Sequence, residues 1–273
     1  MPPPPPAPEG LPVRGDGRPF ELPGGPDAAL LLHGLTGSPF EVRYLAGALQ
    51  RAGARCLGPA MAGHESPLAL AGTPRAAWLD GARRQMGWLE GARRRLLVGC
   101  SMGALVACAL ARERPDEVDG LVLLAPALRL AFPGRLAGFL ARHTPVPRWH
   151  PLVGKGAGSD VADPEMRQRN PCLDAVPLAA VAELEALAAE VDRVLPEVRA
   201  PALVVAGGGD HTVALSGVRR LARRLGGASR LVVLPRSWHL VGIDVERERC
   251  AAEAVSFLQS LPPRAARART HAR

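Results

Sequence analysis

Short unbroken apolar runs recur along this chain: Ala28 to Leu32, Leu96 to Val98, Leu121 to Leu124, Leu203 to Ala206 and Leu231 to Leu234. None alternates with polar residues, and Pro23-Gly24-Gly25-Pro26-Asp27 marks a turn before the first, as expected of strands buried on both faces. Ala54 to Leu57 reads as a further strand and Phe20 to Leu22 as a first edge strand. Between these runs the period changes to that of helices. Ser38-Pro39-Phe40-Glu41 has the spacing of a capping box, with Ser38 as N-cap, opening a helix to about Arg51. Thr73-Pro74 reads as the cap of a long helix on which Trp78, Ala82, Gln85 or Met86, and Leu89 share a face. A helix of small and aliphatic residues starts at Ala104, and another runs from Val245 to Leu258. Strands alternating with helices predict an α/β fold with a mostly parallel sheet covered on both faces.

From about Leu128 to Val198 the alternation stops. No good strand is visible there, but Asp163-Pro164-Glu165 reads as a helix start, and Val181, Leu184, Ala188, Val191 and Leu195 form one apolar stripe. The segment is too long for a plain loop and lies between two strands of the sheet, so it reads as an inserted helical cap over the sheet's C-terminal edge. The expected organisation is a Pro-rich disordered start over 1–18, a core over 19–127 and 199–261, the cap over 128–198, and a basic disordered tail over 262–273.

Composition narrows the classes of function. The formal charge of +8 over 273 residues comes almost wholly from arginine, with Lys155 the only lysine. Arginine is abundant together with alanine, glycine and proline, which indicates a chain-wide bias rather than a basic face, so no nucleic-acid partner is expected. The five cysteines are scattered without C-x-x-C spacing and suggest neither a disulfide framework nor a zinc site. With no signal-like leader and no run approaching the ~20 apolar residues of a membrane span, a cytoplasmic protein is expected.

The chemistry centres on Gly99-Cys100-Ser101-Met102-Gly103, between the strand that ends at Val98 and the helix that starts at Ala104. A strand turning sharply into a helix leaves no room for a Cβ at either glycine and holds Ser101 strained and exposed, in front of the unpaired N–H groups of the helix start. Serine needs a base, and the base needs an orienting acid. Of the seven histidines, His239 follows the last strand and precedes the last helix, while Asp210 sits on the turn after Leu203 to Ala206. Parallel strands bring Ser101, Asp210 and His239 to one rim of the sheet, in the chain order Ser, acid, His. His64, on the loop after the strand at Ala54, is a candidate rim residue, with a hydrogen bond holding its own loop as the other reading.

With His33-Gly34-Leu35-Thr36-Gly37, Gly63-His64, the Ser101 pentapeptide, Gly209-Asp210-His211-Thr212-Val213 and Ser237-Trp238-His239 in order, the chain resembles the α/β-hydrolase superfamily, and within it the bacterial carboxylesterase and monoacylglycerol-lipase-like branch. The resemblance covers Ala28 to Leu261. It implies Ser101 as nucleophile, His239 as general base and then acid, Asp210 as orienting acid, an oxyanion hole from the N–H groups of Leu35 and Met102, and no cofactor or metal. There are departures from the pattern. Glu65 follows His64 where many relatives have glycine, three glycines precede Asp210, and Trp238, in place of a frequent glycine, could narrow the pocket.

The expected activity is hydrolysis of a small carboxylic ester with an uncharged acyl group through an acyl-enzyme, with no obligate protein partner. The same three residues would also serve a thioesterase, lysophospholipase or acyltransferase, and a silent hydrolase fold used as a binding module is a third reading.

Overall fold

A computed structural model describes residues 15–132, 134–144, 151–156 and 158–264. The proline run at the start, His150 and the tail beyond Arg264 lie outside the described residues. Seven strands form the main sheet: β1 (Phe20–Leu22), β2 (Asp27–Leu32), β3 (Ala54–Gly58), β4 (Arg95–Cys100), β5 (Gly120–Leu124), β8 (Ala202–Gly207) and β9 (Ser229–Leu234). Their order is β1-β3-β2-β4-β5-β8-β9, and every pairing is parallel except that of β1 with β3. The expected mostly parallel sheet is borne out.

The apolar runs carry no polar alternation because each strand feeds two cores. Leu30 and Leu32 of β2, Leu97 of β4 and Leu121 and Leu123 of β5 face one; Ala29 and Leu31, Leu96 and Val98, and Val122 and Leu124 face the other. Helices α1 (Phe40–Arg51) and α9 (Arg247–Ser260) cover the second face. The first is covered by α3 (Arg75–Gln85), α4 (Met102–Glu113), α7 (Leu178–Val194) and α8 (Leu215–Arg224). The stripe Val181, Leu184, Ala188, Val191 and Leu195 is buried there as core.

Several local expectations fail. The Ser38 box does not form: α1 starts at Phe40 with Pro39 as its cap, no side chain caps it, and the Ser38 hydroxyl is buried without a partner. Thr73 does not cap α3 either, because its hydroxyl donates back to the carbonyl of Ala69, at the end of the unforeseen helix α2 (Pro67–Ala71). That helix has its own cap, Ser66, whose Oγ accepts the N–H of Ala69. The 128–198 stretch contains strands after all: β6 (Leu152–Gly154) and β7 (Ala175–Pro177) pair antiparallel. They are three residues each and only partly buried, so their apolar signal is weak. Helices α5 (Gly134–His143) and α6 (Pro164–Arg169) lie in the same stretch, and Asp163 caps α6 as read from sequence, accepting the N–H groups of Glu165 and Met166. Arg75 of α3 ties α7 to the core through Glu183 at 2.9 Å and Glu190 at 2.6 Å.

At the two ends, Gly15 donates its N–H to Arg169 O, and Arg264 pairs with Asp119 at 3.0 Å. Among the described residues no helix is long and apolar enough to cross a membrane.

Candidate active site

Register decides which loops meet. Leu32 lies opposite Gly99, Cys100 opposite Leu124, Leu124 opposite Val205, and Gly207 opposite Leu234. The strands therefore end level, and the residues after them, His33, Ser101, Ala125, Gly208 and Pro235, share one edge.

Ser101 sits between β4 and α4 at φ 54° and ψ −108°, a conformation that costs a non-glycine residue of order 1–3 kcal/mol. Hydrogen bonds hold it there: its N–H donates to Leu124 O at 2.8 Å, and its carbonyl accepts from Ala104 at 3.2 Å and Ala127 at 3.3 Å. The turn is as tight as the two glycines imply. A Cβ on Gly99 would run into the Gly103 backbone, and one on Gly103 into the carbonyls of Leu32 and His33.

Asp210 and His239 form a buried pair. His239 Nδ1 donates to Asp210 Oδ2 at 2.8 Å, with side-chain exposures of 7% and 4%. The other carboxylate oxygen of Asp210 accepts the N–H groups of Thr212 and Val213 at 2.8 and 2.7 Å, which fixes the acid on its turn. Burial acts to raise the Asp210 carboxyl, but the charge and hydrogen bond of His239, with the Val213 and Thr212 N–H groups, hold it below its usual value. Burial pushes His239 down, yet Asp210 first, then Asp160 and Glu41, hold it above the ordinary histidine value. With Nδ1 committed to Asp210, Nε2 is the nitrogen left to exchange a proton with a substrate or nucleophile.

The loop after β2 approaches Ser101 from the other side. The N–H of Leu35 has no acceptor among the described residues, nor has that of Met102, the first residue of α4. His33 is fully buried, accepts the N–H of Met61 on Nε2 at 2.9 Å, and therefore donates from Nδ1 to Gly34 O at 2.9 Å. Burial, with His64 adjacent, drives its pKa down to about 3, so it stays neutral. His64 packs edge-on against His33 at 4.7 Å and directs Nδ1 to the carbonyls of Met61 and Ala62, so it braces its own loop. The Trp238 ring lies edge-on to His211 at 4.6 Å, with the Arg167 guanidinium 4.8 Å from its centre.

Three carboxylates escaped the sequence reading although they hold the site together. Asp160 reaches the acid turn, accepting the N–H and Nδ1–H of His211 at 2.9 Å and the Thr212 hydroxyl at 2.8 Å, while its own carbonyl accepts the N–H of Leu240, next to His239. Asp244, wholly buried, collects the N–H groups of Ala162, Asp163, Trp238 and Val245. Glu246 accepts the N–H groups of Arg236 and Ser237 and the Ser237 hydroxyl. Asp160 and Asp244 reach partners 51 and 82 residues away, a separation that leaves no spacing signal. A surface cleft of about 230 Å³ between Ala127–Leu130 and α7 includes none of Ser101, Asp210 and His239.

A serine in a strained strand-to-helix turn, a buried His–Asp pair and unpaired N–H groups around them can perform acyl transfer. The family model described as serine aminopeptidase S33, a hydrolase family, matches residues 27–246. A thermostable monoacylglycerol lipase of Bacillus sp. (strain H-257) is 27% identical over 252 residues, 91% of this chain and 97% of the relative. Among solved structures, one from a study of the metagenome-derived lipolytic enzymes LipS and LipT superposes with a TM-score of 0.82 at 26% identity, covering 90% of this chain and 99% of that one. A Paleococcus ferrophilus monoacylglycerol lipase shares the fold at a TM-score of 0.71 and 21% identity, over 88% and 97% of the two chains.

Proposed function

The chain belongs to the serine aminopeptidase S33 family of hydrolases and is a carboxylic-ester hydrolase; from that premise we propose that Ser101, His239 and Asp210 form its catalytic triad, with uncharged acyl esters such as monoacylglycerols as substrates. The observation that carries this reading is the buried His239–Asp210 hydrogen bond, on the same sheet edge as the strained Ser101.

His239 takes the Ser101 proton through Nε2 as the hydroxyl attacks the ester carbonyl. The N–H groups of Leu35 and Met102 receive the oxyanion, and loss of one such donor typically costs ~10²–10³-fold in kcat. His239 then protonates the leaving alcohol, and water repeats the sequence on the acyl-enzyme. Asp210 holds the imidazole tautomer and stabilises its charged form.

The 128–198 stretch serves as a cap over this edge. Asp160 is bonded to the acid turn, and Leu173 donates its N–H to Thr36 O in the loop of Leu35. Leu68, Phe132, Leu136, Phe139 and Val153 stay exposed on this stretch and on α2, which packs against it, and they favour an apolar acyl chain over a charged one. The scatter of the five cysteines, without C-x-x-C spacing, is the ground for a reducing, cytoplasmic setting.

The test is hydrolysis of p-nitrophenyl esters from acetate to palmitate and of monoacylglycerols, beside Ser101→Ala. Turnover that vanishes in the variant supports the nucleophile, and the chain-length optimum measures the acyl site. Fluorophosphonate labelling of Ser101 without ester turnover would keep the triad and remove the substrate class. Preference for acyl-CoA or lysophospholipid would move the assignment to those esters.

A further inference from the structure

Glu41 is a buried carboxyl that the mechanism above leaves without a task. It is 4% exposed, and among the described residues its carboxyl bonds a backbone group alone: Oε2 accepts the N–H of Gly34 at 2.9 Å. It lies against the nucleophile's surroundings, since a Cβ on Gly34 would stand 3.2 Å from both Glu41 Oε2 and the Ser101 Cβ, and Gly37 packs on the same carboxyl. Burying such a group is costly without compensation; the carboxyl stands in the first turn of α1 but makes no cap bond to it, and turns to Gly34 instead.

What it controls follows from the peptide geometry of the loop. The Gly34 carbonyl accepts Nδ1–H of His33 at 2.9 Å and the N–H of Gly37 at 3.1 Å. In a planar trans peptide the C=O and N–H point in opposite directions, so these two bonds direct the Leu35 N–H away from His33 and Gly37. The preceding peptide, through the Gly34 N–H, is held by Glu41 alone among the described residues. With Glu41 on one side of Gly34 and His33 on the other, both flanking peptide planes are set.

We propose that Glu41 is a positioning residue for the oxyanion hole: its oxygen locks the Gly34 peptide, and thereby aims the Leu35 N–H before substrate arrives. The inference rests on the triad reading above. For holding Gly34 the acceptor oxygen is what matters; the charge bears on His239 instead. Burial raises the Glu41 carboxyl above its ordinary range, against the lowering influence of the Gly34 N–H, Lys155 and His239, and the uncharged acid still offers its carbonyl oxygen to Gly34.

The test compares Glu41→Met, Glu41→Asp and Glu41→Gln on p-nitrophenyl butyrate, with inhibition by phenylboronic acid, whose tetrahedral serine adduct engages the oxyanion hole. Met fills the space without a good acceptor, and Asp keeps the charge but is one methylene short. Both should lose roughly 10- to 100-fold in kcat, short of or near the loss for deleting one oxyanion donor, with KM unchanged and boronate affinity weakened in step. Glu41→Gln, which reaches Gly34 with a neutral oxygen, should recover most of kcat and affinity. The idea is overturned if Met and Asp retain wild-type kcat and boronate affinity, or if Gln is as impaired as Met. Should Met not fold, the Asp–Gln comparison carries the same decision. Absence of turnover and of fluorophosphonate labelling in the wild type would instead remove the triad reading.

Discussion

His239 and Asp210 share a 2.8 Å hydrogen bond between side chains that are 7% and 4% exposed, although each stands on a different loop of the sheet edge. The ionised carboxylate can only accept, so the proton of the neutral imidazole lies on Nδ1. Asp210→Asn can present an amide N–H to that nitrogen and stabilise the wrong tautomer. Its kcat on p-nitrophenyl butyrate should drop by about 10⁴-fold with a small change in unfolding midpoint, the scale set by serine proteases. A loss under tenfold would assign the orienting role elsewhere.

The pH dependence has a definite sign. Hydrolysis needs neutral His239, and burial is outweighed by Asp210, Asp160 and Glu41, so kcat/KM should rise with pH through a midpoint above the ordinary value of 6.5. Asp160→Asn removes one of these carboxylates and should move the midpoint toward 6.5. Stability runs differently. The raised His239 contributes fully below 6.5 and loses its contribution as pH rises through its folded value; the lowered Asp210 contributes fully above 3.8 and loses its contribution as pH falls through its folded value. The pair therefore stabilises most between those two ordinary values, on the acid side of the activity profile. Urea midpoints of wild type and Asp210→Asn across pH, beside kcat/KM profiles, check both signs.

Asp244 ties the His239 loop to the segment before α6, through the N–H groups of Trp238, Ala162 and Asp163. Asp244→Ala removes a fully buried carboxylate and takes the acceptor from these part-buried donors and that of Val245, and should destabilise the fold by roughly 3–5 kcal/mol. Urea unfolding measures the loss, and amide exchange at Trp238 and Asp163 should accelerate most. Uniform exchange would show that the carboxylate does not organise the loop.

Gly103→Ala tests the elbow. The new methyl would meet the carbonyls of Leu32 and His33, rigid backbone on the neighbouring strand end, at an expected loss of about 3 kcal/mol. Ester turnover should fall further than stability implies, since the same shift displaces Ser101 from the loop of Leu35. A soluble variant with wild-type kcat would contradict the close packing of β2 and α4.

The strands, the Ser101 turn and the order of Ser101, Asp210 and His239 are recorded in neighbouring residues. Apolar runs such as Leu121 to Leu124 and glycines two positions from a serine express local sterics, and the parallel topology follows from alternation. Local rules also misled. Ser38 and Glu41 have the spacing of a capping box, yet Glu41 bonds Gly34, seven residues back, because the β2 loop folds against α1. Asp160 bonds His211 and Asp244 bonds Ala162, 51 and 82 residues away, and β6 pairs with β7 through strands of three residues with little apolar signal. By itself the sequence determined where the chain can be strand or helix and which residue types follow each strand. Only tertiary structure decided which buried carboxylate meets which loop, since that choice depends on strand register and on desolvation, neither of which is a property of neighbours in sequence.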